Sequence, residues 1–114
     1  MSGVSSHVLD TAIGKPAVGV PVRLERRLPA PDSWESLGRG MTNAEGRIAA
    51  LCGAGMLRPG EHRITFETGA YFTARGQTLF YPEVVVSFIV LPDAQHHHIP
   101  LLISPFGYST YRGS

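Results

Sequence analysis

The chain has 114 residues, a net charge of +1 and one cysteine, Cys52. That length fits a single domain, residues 1–114, whose core buries about 65% of the surface an unfolded chain exposes. Near-neutral charge argues against nucleic acid or acidic membranes as partners, and a lone cysteine excludes an internal disulfide, so a reducing compartment is acceptable.

Residues 6–10 read as a first short strand, ended by Gly14-Lys15-Pro16. Val18, Val20, Val22 and Leu24 then alternate with Gly19, Pro21, Arg23 and Glu25, the period of a half-buried strand. Residues 28–32 hold Pro29 and Pro31 and read as a loop. Residues 34–41 form the next strand candidate, 42–46 a turn, 47–50 a short strand and 53–60 a loop. In 63–68, Ile64 and Phe66 share a face, and His62 just ahead of them reads as a surface residue. The helix candidate is 71–77, weakened by flanking glycines. Residues 84–90 are apolar on both faces: Val84, Val86, Phe88 and Val90 on one, Val85 and Ile89 on the other. Such a strand needs cover on both sides, and another subunit would supply the second. In 96–103, His96, His98, Pro100 and Leu102 share one face, and His97, Ile99, Leu101 and Ile103 the other. About seven or eight short strands, punctuated by glycine and proline, indicate an all-β sandwich. That class alone says nothing about activity.

The longest apolar run, 84–91, falls short of the roughly 20 residues a membrane helix needs. Residues 1–10 have neither the basic start nor the apolar core of a signal peptide, and the last three residues are not a peroxisomal address. The expected location is cytoplasmic.

Four places hold residues that a packed sandwich does not require: His7, Arg47, the run His96-His97-His98, and the polar, aromatic tail from Tyr108 to Ser114. Each has a bland alternative. A lone histidine is more often a surface group than a catalyst, most arginines are solvated, and termini fray. Zinc is one rival, with His96-x-His98 and His7 as three nitrogen ligands, but His-x-His is a weak motif and no adjacent carboxylate supports it. No Gly-x-Ser-x-Gly elbow supports a serine nucleophile.

Three segments together resemble a known family. Ser6-His7-Val8-Leu9-Asp10-Thr11-Ala12 with Gly14-Lys15-Pro16-Ala17 is similar to the opening motif of the 5-hydroxyisourate hydrolases. Thr42-Asn43-Ala44-Glu45-Gly46-Arg47 resembles their central motif. His96-His97-His98-Ile99-Pro100-Leu101-Leu102, through Ser104-Pro105-Phe106-Gly107, to Tyr111-Arg112-Gly113-Ser114 resembles their closing signature. The resemblance spans nearly the whole chain. Its last four residues separate these enzymes from transthyretin, the hormone carrier of the same fold. His97 departs from the aromatic that relatives often carry, and Phe106 from a common tyrosine.

The resemblance implies a transthyretin-like (prealbumin-like) sandwich of two four-stranded sheets with one short helix. It implies a homotetramer with active sites in a channel between dimers, faced by the sheet that carries His7, Arg47 and His98. It implies hydrolysis of 5-hydroxyisourate in urate breakdown, with no metal or organic cofactor. The implied catalytic residues are His7, Arg47, His98 and Ser114; Tyr111, Arg112 and Gly113 join His7 and Arg47 in holding substrate. One histidine would deprotonate water while the other shuttles a proton, since imidazole titrates near neutrality. Arg47 would stabilise developing negative charge, and Tyr111 would bind or stack on the ring. Ser114 would act through its hydroxyl or a terminal carboxylate. The alternative function is a transthyretin-like small-ligand carrier without catalysis.

Overall fold

The structure, a computed structural model, describes residues 3–52, 55–92 and 96–113. Among them, ten strands and one helix follow in the order β1 (Val4–Asp10), β2 (Lys15–Pro16), β3 (Pro21–Arg27), β4 (Trp34–Met41), β5 (Arg47–Ile48), β6 (Gly60–Phe66), α1 (Thr68–Ala74), β7 (Val84–Val90), β8 (His97–His98), β9 (Leu101–Ser104) and β10 (Gly107–Thr110). One sheet runs β4-β3-β6-β7, antiparallel throughout. The other is built around β1. Strands β8 and β9 lie parallel to β1, β5 and β2 lie antiparallel to it, and β10 pairs outside β9. Since β8 continues into β9, and β5 and β2 share an edge of β1, this sheet is also four lanes wide. The expected sandwich of two four-stranded sheets with one short helix is the observed architecture.

Alternation along β1 explains how the sheets meet. Val4, Ser6, Val8 and Asp10 are buried between the sheets, while Ser5, His7 and Leu9 point to the outer side. Val4, Val8, Leu24, Ile64, Phe66, Leu101 and Ile103 pack from the two layers with almost no exposure. Each such side chain contributes roughly 1.5–3 kcal/mol, set against the entropy of ordering it. The inward polar groups of β1 are satisfied. Ser6 donates to the Ile99 carbonyl at 2.7 Å. Asp10 accepts from the Tyr71 hydroxyl at 2.8 Å and from the Ala12 amide at 3.1 Å. Burial, and then the bond to Asp10, push the Tyr71 phenol up to about 12. Through this bond α1 braces the end of the strand that carries His7.

Strands β4 and β7 match the expected spans, and other elements shift for identifiable reasons. The helix begins three residues before the expected 71–77. The amides of Arg75, Gly76 and Gln77 all bond back to the Phe72 and Thr73 carbonyls, which closes it early. Strand β3 starts at Pro21 rather than 18, because the Val20 amide is taken by the Thr42 hydroxyl at 2.8 Å. The expected strand 47–50 is two residues long, and 96–103 divides into β8 and β9 at Ile99-Pro100. One reading is overturned. His62, expected at the surface, has 0% exposure and lies 5.7 Å from the Phe88 ring, its Nδ1 donating to the Gly60 carbonyl at 2.9 Å. Strand β6 begins at Gly60, so His62 falls in phase with Ile64 and Phe66 and points inward.

The edge strand β7 keeps its second apolar face open: Val85 and Ile89 are 42% and 59% exposed. Among the described residues no helix is long and apolar enough to cross a membrane.

Candidate active site

The outer side of β1 gathers residues from distant parts of the chain. His7 is registered directly against Arg47 of β5, and Ser5 against His98 of β8. Residues opposite one another across neighbouring strands project to the same face. Ser5, His7, Arg47 and His98 therefore occupy one surface, although some ninety positions separate the first from the last.

Arg47 is aimed by the turn before it. The Asn43 side chain accepts from the amides of Glu45 and Arg47 at 2.9 and 3.0 Å, and the backbones of Asn43 and Arg47 bond each other at 3.0 Å. Such a side-chain-closed turn is what asparagine offers. Gly46 has φ +75°, and a Cβ there would stand 2.5 Å from the Val8 carbonyl. Only glycine meets both demands, and the Gly46 carbonyl then accepts from the Val8 amide at 2.7 Å. The turn is thereby sewn to β1 one residue past His7.

Each histidine has its own restraint. The His7 Nε2 is 2.9 Å from the Glu45 carbonyl. A carbonyl only accepts, so this nitrogen carries hydrogen, and neutral His7 presents a bare Nδ1. His98 is half-buried and held from two sides. Its Nδ1 lies 2.8 Å from the Ser5 hydroxyl, and its carbonyl accepts from the Gly113 amide at 2.7 Å. A Cβ on Gly113 would stand 2.5 Å from the His98 ring carbon Cδ2, so the absent side chain is what lets the tail lie against the imidazole.

Burial lowers the His98 pKa below its ordinary 6.5, and the charge of Arg47 and the neighbouring His7 and His96 add to the effect. The ring is thus neutral and basic at neutral pH. Arg47 itself makes no ion pair among the described residues. An unmatched guanidinium beside the neutral His98 imidazole suits an oxygen-rich or anionic guest.

A cleft of about 520 Å³ opens here, lined by Ser5, Asn43, Glu45, Arg47, His96 and His98 among others. Tyr111 and Arg112 are exposed and line a second cleft of about 240 Å³ with Phe88, Ile89 and His97. The chain thus brings together His7, Arg47, His98 and Gly113, whereas Tyr111 and Arg112 line a cleft that shares no residue with the first. Ser114 lies outside the described residues. A larger cleft of about 660 Å³ lies over β3 and β4, but Arg23 in its wall is already paired with Glu67 at 2.6 Å. Among the described residues no group of three or more histidine, cysteine or acidic side chains is placed to hold a metal ion. Sequence reasoning missed Ser5 and the Glu45 carbonyl. Strand parity places Ser5 on the His7 face; no side chain announces a backbone carbonyl.

Comparison with known proteins places these features. The model of the HIUase/Transthyretin family matches residues 4–113. A Mus musculus protein named 5-hydroxyisourate hydrolase is 45% identical, over 99% of this chain and 96% of its own length. The solved 5-hydroxyisourate hydrolase of Klebsiella pneumoniae superposes with a TM-score of 0.86 at 41% identity, each chain covered completely. Sea bream transthyretin, solved in complex with thyroxine, superposes at 0.90 with 31% identity, over 97% of this chain and 94% of that one.

Proposed function

We propose that this chain, which belongs to the HIUase/Transthyretin family, hydrolyses 5-hydroxyisourate to 2-oxo-4-hydroxy-4-carboxy-5-ureidoimidazoline in urate breakdown. The observation that carries the reading is the meeting of His7, Arg47 and His98 on one outer face, with the arginine unmatched and His98 kept neutral. Relatives at 41–45% identity bearing the hydrolase name support the substrate.

The chemistry is water attack on a cyclic acyl–nitrogen bond. Neutral His98 takes a proton from water, and the bare Nδ1 of His7 accepts a hydrogen bond that orients it. Arg47 binds the substrate oxygens and stabilises the oxyanion as it forms. The Gly113 amide fixes the His98 backbone. Tyr111 and Arg112 hold the substrate, and Ser114 completes the site, on the strength of the resemblance alone. The scheme needs no metal or organic cofactor.

Assembly as a homotetramer belongs to this proposal. Val85 and Ile89 on the edge strand β7 are the apolar surface that a second copy would cover. A cytoplasmic location is proposed with it.

The test is a spectrophotometric assay on freshly generated 5-hydroxyisourate, with His98→Ala and His7→Asn beside the wild type. Acceleration over spontaneous decay by the wild type, lost in both folded variants, is expected. A folded wild-type protein that does not accelerate decay sinks the reading. The carrier function then takes its place, favoured by the TM-score of 0.90 to thyroxine-bound transthyretin and tested by thyroxine titration.

A further inference from the structure

We propose that Ser5 and His96 form a proton relay behind His98, switching it from base to acid within each turnover. The inference rests on the hydrolase reading and assigns to that site two positioning residues, neither of which touches the reacting atoms.

The geometry is specific. The Ser5 hydroxyl oxygen is 2.8 Å from Nδ1 of His98 and 2.8 Å from Nε2 of His96. A hydroxyl has one hydrogen, so it donates to one imidazole and accepts from the other. Two arrangements follow. When Ser5 donates to His96, His98 carries hydrogen on Nδ1 and offers a bare Nε2, which is a base. When Ser5 donates to His98, the hydrogen of His98 sits on Nε2, which is an acid. A shift of one hydrogen along each bond, with a proton gained at Nε2 of His98 and one lost from Nδ1 of His96, converts one arrangement into the other. The tautomer of an imidazole is set by the bond at its second nitrogen, and here that bond is reversible. The outer end of the chain meets water, since His96 is exposed while His98 is half-buried.

The surroundings favour passing a proton on. Arg47 of β5, His7 of β1 and His96 itself all disfavour charge on His98. Glu45, the acidic residue in the cleft wall, meets His7 through its carbonyl.

The relay balances the reaction. The water oxygen bonds to the acyl carbon as one of its protons moves to Nε2 of His98. The Nδ1 proton passes to Ser5, the Ser5 hydrogen to His96, and a proton leaves His96 for solvent. The acyl–nitrogen bond then breaks, its electron pair staying on nitrogen, which takes the proton from Nε2 as the relay returns one from solvent through His96 and Ser5 to Nδ1. The ring thus keeps one hydrogen throughout, and the base is restored. The remaining water proton is shed when the new carboxylic acid ionises.

The experiment compares wild type, Ser5→Ala, Ser5→Thr and His96→Gln across the neutral pH range on fresh 5-hydroxyisourate. Ser5→Ala and His96→Gln are expected to lose about 10- to 100-fold in kcat with little change in KM, part of the ~10²–10⁴ that positioned acid–base groups contribute. Both should also lose a titration step from the pH profile, and Ser5→Thr should restore rate and profile. Wild-type kcat in folded Ser5→Ala, with His98→Ala inactive, overturns the relay and leaves the hydrolase reading standing. Histidine-selective nitrogen NMR gives a readout independent of turnover. Titration of His96 should move the ring nitrogens of His98 in the wild type and not in Ser5→Ala; independent titration in the wild type overturns the relay whether or not the protein hydrolyses the substrate.

Discussion

The outer faces of the two sheets use arginine in opposite ways. On the β4-β3-β6-β7 sheet, arginines meet glutamates: Arg23 with Glu67 at 2.6 Å, Arg63 with Glu25 at 2.8 Å, Arg27 with Glu61 at 3.4 Å. The Arg63 guanidinium also lies 4.0 Å over the Trp34 ring. On the β1 sheet, Arg47 faces imidazoles and makes no ion pair among the described residues. The first pattern is that of a solvated surface, where exposed pairs contribute about 0–1 kcal/mol each. The second leaves a positive charge unanswered, which adds to the burial that keeps His98 neutral.

The contrast is broken most forcefully by removing one arginine from each face. Arg47→Ala is expected to lower kcat by about 10²–10³, the scale of a lost oxyanion donor. Arg63→Ala should leave kcat unchanged in the same assay. Next comes Gly113→Ala, whose methyl group must push the tail off the His98 ring. Displacing a catalytic group by an ångström costs up to about 10²-fold in rate, and circular dichroism should show the same melting curve because the tail is exposed.

Acid separates site from core. Burial holds His62 below its ordinary 6.5, with smaller contributions from Arg26 and His97. A depressed folded-state pKa means that its stability contribution is complete above 6.5 and is lost as pH falls through the folded value. His62→Leu is therefore expected to lose less stability than wild type on acidification in urea titrations, while the pH dependence of kcat, set by His98, stays put. The smallest effect belongs to Glu25→Gln, which should cost under about 1 kcal/mol by denaturant and leave kcat unaltered.

Where side chains alternate between water and core, the sequence was readable: β4 and β7 match their expected spans, and the parity of 96–103 correctly set His97 on the face opposite His98. Strand β10 carried no such sign, because Tyr108, Ser109 and Thr110 are all exposed on the strand that pairs outside β9, held there by backbone bonds. His62 was misplaced by a late guess at where β6 begins: extended back to Gly60, the same alternation carries it to the face of Ile64 and Phe66. His7, Arg47 and His98 were legible as residues through the family resemblance, and their meeting on one face came from strand register. The Ser5 bridge and the carbonyl that fixes His7 depend on distances between segments, which spacing along a chain does not encode.

The parallel pairing of β1 with β8 and β9 has a consequence for synthesis. Ser5 and His98 are 93 positions apart. On a ribosome adding ~5–20 residues per second, β1 emerges roughly 5–20 s before the strands that flank it on that side. During that wait its unpaired edge, bearing Val4, Val8 and Leu9, is exposed to other nascent chains, and pairing it late is the slow, non-local kind of step that limits β-rich folding. The strands of the β4-β3-β6-β7 sheet, by contrast, have all been synthesised at Val90, before β8, β9 and β10.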